Sequence, residues 1–212
     1  MNKKPLILVG GGGHCKSCID IIEAENKYEI KGIIDKKNKI GESILGYSIM
    51  GCDDELELLT KNYKYFLVTI GQIKDVMPRH NLYKRIKSYG VDLATVISPD
   101  AVVSKHATIG EGTVIAHNVL INAGAIIGNN CIINSAAVIE HDVVIQGHCH
   151  ISTGCIVNAS SVIQECSFVG SNSIIFNNVT IGDNIIVGAG SVVSKSINDA
   201  GTYLGNTLRK IK

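Results

Sequence analysis

Residues 131 to 151 read Cys131-Ile132-Ile133-Asn134-Ser135-Ala136-Ala137-Val138-Ile139-Glu140-His141-Asp142-Val143-Val144-Ile145-Gln146-Gly147-His148-Cys149-His150-Ile151. Ile133, Ile139, Ile145 and Ile151 recur every six residues, and two places before them stand Cys131, Ala137, Val143 and Cys149. Working outward, the same register holds back through Ile127, Ile121, Ile115 and Ile109 to Val103. It holds forward through Val157, Ile163, Val169, Ile175, Ile181 and Val187 to Val193, with no residue inserted or lost. A six-residue repeat predicts a parallel β-helix, in which each unit is one short strand and one corner. The Ile or Val points inward, the small residue fills the space beside it, and three units close one turn of a triangular prism. Gly or Asn often follows the aliphatic, as at Gly110, Asn122, Gly128, Gly170 and Gly188, and is expected to supply the corner conformations.

The composition agrees with this geometry. The chain of 212 residues has 22 Gly against 3 Pro, no Trp and 5% aromatics, because a narrow coil is filled by aliphatic and small side chains. A net charge of +1 gives no electrostatic footprint for nucleic acid or an anionic membrane. The apolar run Pro5 to Val9 is cut short by Gly10 to Gly13, and no later run approaches a membrane span. The expectation is a cytoplasmic protein. Its seven cysteines are expected to be reduced thiols, and no metal site is expected.

The chain before Ser98-Pro99 follows different rules. An apolar strand (Leu6 to Val9), a glycine run (Gly10 to Gly13), a helical pattern and a second strand (Ile30 to Ile34) ending at Asp35 form a βαβ opening. A strand over Tyr65 to Ile70 stops at Gly71, a helix is expected over Asn81 to Tyr89, and Leu93 to Ile97 leads into the repeats. The reading is therefore a Rossmann-like α/β domain over 1–98 and an all-β parallel β-helix over 99–212. Glycines at a helix N-terminus let a phosphate approach free N–H groups, and Asp35 can accept from a ribose or sugar hydroxyl. Gly10-x-Gly12 matches only the first part of G-x-G-x-x-G, the last position being Cys15, so a mononucleotide or nucleotide sugar fits better than NAD.

Gly10-Gly11-Gly12-Gly13-His14, Asn134 to Asp142, and His148-Cys149-His150-Ile151-Ser152 together resemble the hexapeptide-repeat acyltransferases of the sialic acid O-acetyltransferase type. The resemblance covers essentially the whole chain and lies nearest the branch that N-acetylates nucleotide-linked 4-amino sugars, as in bacillosamine synthesis. It implies a left-handed coil, a homotrimer with active sites between adjacent β-helices, and acetyl-CoA as co-substrate. It implies His141 as general base, Asp142 as the acidic neighbour that raises its basicity, and His150, Ser171 and Ala189 at acetyl-CoA. It implies Gly12, Gly13, His14, Asp35, Lys36, Gly71 and Asn134 at the nucleotide sugar. The chemistry agrees, since attack of an amine on a thioester needs a group titrating near neutrality to take the proton. A donor such as His150 or a coil N–H would steady the oxyanion.

Other readings accompany this one. An O-acetyltransferase of sialic or related nonulosonic acids and a non-enzymatic trimeric scaffold use the same residues. The stretch Gln72 to Arg79 departs from the shorter Gly-Asn/Asp-Asn pattern of the branch, and Gly205-Asn206-Thr207 replaces Gly-x-Pro. Cys131, Cys149 and Cys155 fall at the small inward position as packing residues. Cys15 and Cys18 have C-x-x-C spacing but no second pair, and are read as packing and loop residues. His80, His106, His117 and His148 are read as solvated or interface residues, with His117 a candidate for the cleft. Lys195, Arg209, Lys210 and Lys212 are candidates for the coenzyme phosphates.

Overall fold

The structure, a computed structural model, describes residues 3–205 and 209–210. The N-terminal part runs β1 (Lys4–Val9), α1 (Gly13–Glu25), β2 (Tyr28–Ile34), β3 (Ser43–Ile44), β4 (Tyr47–Gly51), α2 (Leu56–Thr60), β5 (Tyr65–Val68), α3 (Met77–Ser88) and β6 (Asp92–Leu93). One sheet takes the order β3-β4-β2-β1-β5-β6, antiparallel only between β3 and β4. Chain order reverses at β1, whose neighbours are β2 and β5. In an open α/β sheet, the crevice beyond the strand C-termini at that reversal is where ligands bind. Here it is bordered by Gly10 to Gly13 after β1, Asp35 after β2 and Ile70-Gly71 after β5.

The coil begins earlier than the Ser98-Pro99 division, because Val96–Ile97 already pairs in parallel with Val114–Ile115. From there every expected repeat is a two- or three-residue strand, from Val102–Val103 to Val192–Val193. Partners are eighteen residues apart, as in Val114 with Ile132 and Ile121 with Ile139, so three units make one turn of a left-handed parallel β-helix. Among the described residues its three faces are sheets of eight, six and five strands, the eight including Gly201–Leu204 and Arg209–Lys210 beyond the repeats. The inward column from Ile115 to Val193 is buried throughout. Beside it the polar small residues bond to the next coil's carbonyls: Thr113 to Gly128 at 2.8 Å, Ser161 to Phe176 at 2.7 Å, and Ser167 to Gly182 at 2.7 Å. Cys131, Cys149 and Cys155 do the same with Gln146, Gln164 and Gly170 at 3.0–3.1 Å, and burial pushes the Cys131 thiol up to about 12.

The corner expectation needs correction. The left-handed residue stands three places after each aliphatic from Ile109 to Val187, at Asn118, Gly124, Asn130, Ala136, Asp142 and His148 among others, with φ of 55–75°. Glycines directly after the aliphatic answer a different demand. A Cβ at Gly128 would lie 2.7 Å from the Gln146 carbonyl carbon, and one at Gly170 would lie 2.5 Å from the Ala189 nitrogen. Left-handed backbone costs an ordinary residue roughly 1–2 kcal/mol. At Ala136, Asp142 and His148 the corner N–H is bonded to the preceding coil, at 2.9, 3.1 and 2.8 Å, which helps hold that conformation.

Two further boundaries differ. β5 ends at Val68 rather than Ile70, and α3 starts at Met77, four residues before the expected start, with Pro78 in its first turn, where a missing N–H costs nothing. The β3–β4 hairpin and α2 are too short for a periodic pattern to reveal. The sheet and coil are joined through Arg79, which is fully buried. Its guanidinium donates to the carbonyls of Val68 at 2.6 Å and Ile70 at 2.9 Å and reaches Asn130 and Gly112 on the coil at 3.4 Å. Burial brings it down only to about 10, so it stays charged.

Candidate active site

Gly10 to Gly13 close the end of β1 and start α1, with Gly12 as its N-cap. Two of these glycines are demanded by packing. Gly10 has φ +111°, and a Cβ at Gly11 would lie 2.7 Å from Asp35 Oδ2. Gly12 and Gly13 face open space, where the first-turn N–H groups and helix dipole favour an anion. Asp35 closes the side of this cleft: Oδ2 accepts from Gly11 N–H at 3.2 Å and Lys39 Nζ at 2.9 Å, and Oδ1 accepts from Lys36 N–H at 2.8 Å. Burial opposes its ionisation, but the bonds from Lys39, Lys36 and Gly11 outweigh it and hold the carboxyl below the usual range. The resulting cleft of about 610 Å³ also takes in His14, Gly71, Asn134 and His150.

A second cleft of about 790 Å³ runs along the first face of the coil, lined by Ile73, Lys74, Asn134, His150, Phe168, Ser171 and Ala189 among others. Ser171 Oγ lies 2.9 Å from Ser152 Oγ, and Ala189 is exposed at the rim. Ile73, Asn134 and His150 line both clefts, so the two meet there. His150 points away from the coil interior as expected, yet the N-terminal part covers it to 7% exposure. Its Nδ1 lies 2.5 Å from the carbonyl oxygen of Gln72. Burial drives its pKa down to about 4 against the opposing Gln72 bond, with Arg79 adding to the fall. A carbonyl only accepts, so the neutral ring carries its proton on Nδ1 and cannot donate from Nε2 to an oxyanion. His14 is lowered to about 3 by burial and by the charges of Arg79 and His150, and its Nε2 lies 3.5 Å from Cys18 Sγ.

His141 and Asp142 lie elsewhere. They occupy the corner between the second and third faces, exposed, with His141 Nδ1 2.8 Å from Asp142 Oδ2. That bond places the His141 proton on Nδ1 and leaves Nε2 to take a proton. Neither residue lines the two clefts. His117 is also apart from them: its Nε2 lies 2.8 Å from Asp20 of α1 and its Nδ1 2.7 Å from Ser98 Oγ, joining the two parts of the chain. His80 and His148 stack edge to face with ring centres 4.3 Å apart in the same junction. Cys15 and Cys18 are buried, and among the described residues no group of three or more His, Cys, Asp or Glu side chains could hold a metal. Lys195 is exposed; Asn206, Thr207 and Lys212 lie outside the described residues. No helix among the described residues is long and apolar enough to cross a membrane. Sequence reading passed over Lys39, Arg79 and Gln72; the last two sit in the stretch that departs from the branch pattern.

Comparison with known proteins places these features in context. The family described as the PglD N-terminal domain matches residues 5–86, and the GMPPB C-terminal domain matches residues 91–202. The UDP-N-acetylbacillosamine N-acetyltransferase of Bacillus subtilis is 36% identical over 114 residues, 53% of this chain and 51% of that protein. The match thus spans about half the length of that relative. The perosamine N-acetyltransferase of Caulobacter crescentus, solved with CoA and GDP-perosamine as a histidine-substituted variant, superposes with a TM-score of 0.92 at 30% identity, over 98% of this chain and 97% of that one. The acetyltransferase domain of PglB from Neisseria gonorrhoeae, solved with acetyl coenzyme A, gives a TM-score of 0.91 at 27% identity, over 99% and 100% of the two chains.

Proposed function

The chain belongs to the hexapeptide-repeat acetyltransferases that join a PglD-type N-terminal domain to a left-handed β-helix, and from that membership we propose that it N-acetylates a nucleotide-linked 4-amino sugar with acetyl-CoA. The observation that carries this reading is the pair of clefts meeting at Asn134 and His150. One has the anion-binding loop, Asp35 and Lys36 that suit a nucleotide sugar, with Gly12, Gly13, His14 and Gly71 around it. The other is a largely apolar trench past Ser171 and Ala189 that suits the pantetheine arm. The sugar amine and the thioester then come together at Asn134 and His150.

In the transfer, the amine nitrogen attacks the thioester carbon, a C–N bond forms, and the tetrahedral intermediate collapses with loss of the coenzyme thiolate. His141 Nε2 takes the amine proton and returns it to the leaving sulfur, while Asp142 holds the ring. Because His141 lies away from the clefts within one chain, a neighbouring copy must bring it to them. The second face of the coil supports such an assembly: its outward positions Val102, Leu120, Val138, Ile156, Ile174 and Val192 form an unbroken aliphatic stripe, and His141 sits on the corner that follows it. A homotrimer with its site between adjacent coils satisfies both observations.

The test is thiol release from acetyl-CoA against UDP-, dTDP- and GDP-linked 4-amino sugars and free and CMP-activated sialic acids. Turnover on a nucleotide amino sugar supports the proposal. Turnover on the sialic acids alone transfers the activity to hydroxyl acetylation, and silence with every acceptor contradicts an acetyltransferase.

A further inference from the structure

The stretch that departs from the branch pattern places Gln72 against the junction of the two clefts, and Gln72 is 3% exposed. Its carbonyl accepts from His150 Nδ1–H, its side-chain Nε2 donates to the His148 carbonyl at 3.0 Å, and its Oε1 is buried without a partner among the described residues. Gln72 is thus tied to the coil twice, by its backbone at His150 and by its side chain at the corner residue His148. Because a carbonyl has no proton to give, the contact selects the Nδ1–H tautomer and leaves a lone pair on His150 Nε2. The surroundings agree with that assignment. Asn134 Nδ2, a donor, lies 3.5 Å from Nε2, and the Phe168 ring meets the imidazole edge to face at 5.1 Å between centres.

We infer that Gln72 is a positioning residue: it locks His150 as a hydrogen-bond acceptor at the meeting point of the two clefts, where Nε2 receives one N–H of the substrate amine. This rests on the amine-acetylating reading. With one N–H held by His150, the nitrogen lone pair is aimed at the thioester carbon and the remaining proton is left for His141. The incoming N–H takes the place of Asn134 Nδ2 at that single lone pair, and donation to the thioester oxygen then falls to the freed amide and to coil N–H groups rather than to His150. The nucleotide-binding part of the chain thereby sets the proton arrangement of a residue on the coil.

The experiment is ¹⁵N NMR of histidine-labelled protein, with Gln72→Ala and the volume-conserving Gln72→Met beside the wild type. The wild-type His150 is expected to show a protonated Nδ1 and an unprotonated Nε2 between pH 6 and 8. Both variants keep the backbone carbonyl but lose the side-chain bond to the His148 carbonyl that pins it in place, and are expected to show a larger share of the second tautomer and a kcat lowered by about tenfold, with the KM for acetyl-CoA little changed. A wild-type ring protonated at Nε2, or both variants keeping the wild-type tautomer and full turnover, overturns the inference. The wild-type spectrum needs no substrate, so failure to acetylate any acceptor would count against the function while the tautomer is still decided.

Discussion

His141 Nδ1 stands 2.8 Å from Oδ2 of Asp142, the residue beside it in the chain. The carboxylate orients the ring and keeps the proton off Nε2. Asp142→Asn retains the shape but offers an amide that can donate to Nδ1 and stabilise the wrong tautomer. Turnover is expected to fall on the order of 10²-fold, with the thermal midpoint unchanged; steady-state kinetics and a melting curve check it together.

The carboxylate of Asp142 rests over Gly124, one coil earlier. A Cβ at Gly124 would lie 2.5 Å from Asp142 Oδ1, and Gly124 has φ +75°. Gly124→Ala therefore imposes left-handed strain of about 1–2 kcal/mol and displaces the partner of His141. Urea unfolding should show the loss of stability. The loss of turnover should exceed that seen for Ala at Gly190, which shares the left-handed corner (φ +69°) but has nothing within 4 Å.

If neighbouring copies share each site, His141→Ala and His150→Ala chains complement one another. Equal amounts unfolded and refolded together should recover about a quarter of the wild-type activity, because one site in four then pairs an intact His141 with an intact His150 across the interface. Each variant refolded alone should stay inactive. No recovery on mixing would place both histidines of a site in one chain.

His14, His148 and His150 are lowered to about 3, 4 and 4, in each case mainly by burial. Unfolded histidine titrates near 6.5. As the pH falls from about 6.5 toward 4, the unfolded chain takes up protons that the folded chain refuses, so stability is whole above that window and declines through it. The thermal midpoint should be level from pH 7 to 8 and drop below about 6.5, less steeply in His148→Gln. A wild-type midpoint indifferent to pH between 6.5 and 4 would contradict the burial of neutral rings.

The coil was legible because its period is strict: every Ile or Val of the six-residue register from Val103 to Val193 lies on a strand of the structure. The purpose of the coil's glycines was not, since a left-handed corner and a tight approach between coils both favour Gly, and only the backbone separates Gly124 from Gly128. The resemblance put the glycine loop, Asp35 and Asn134 at one ligand and His150 at the other; that they line a common cleft shows only in the fold. Gln72 escaped because its decisive contact is made by a backbone carbonyl, which leaves no mark on residue type. Arg79 escaped because a buried cation bonded only to carbonyls has no acidic partner to reveal it. His141 was readable as a residue, but its distance from the clefts is a property of the coil's corners.

The most direct test of the account is the rate of thiol release from acetyl-CoA with the preferred nucleotide 4-amino sugar, measured for the wild type and His141→Ala. The account predicts turnover that requires both substrates and falls roughly 10²- to 10⁴-fold in the variant, with folding and coenzyme binding intact. Undiminished turnover in folded His141→Ala would contradict it.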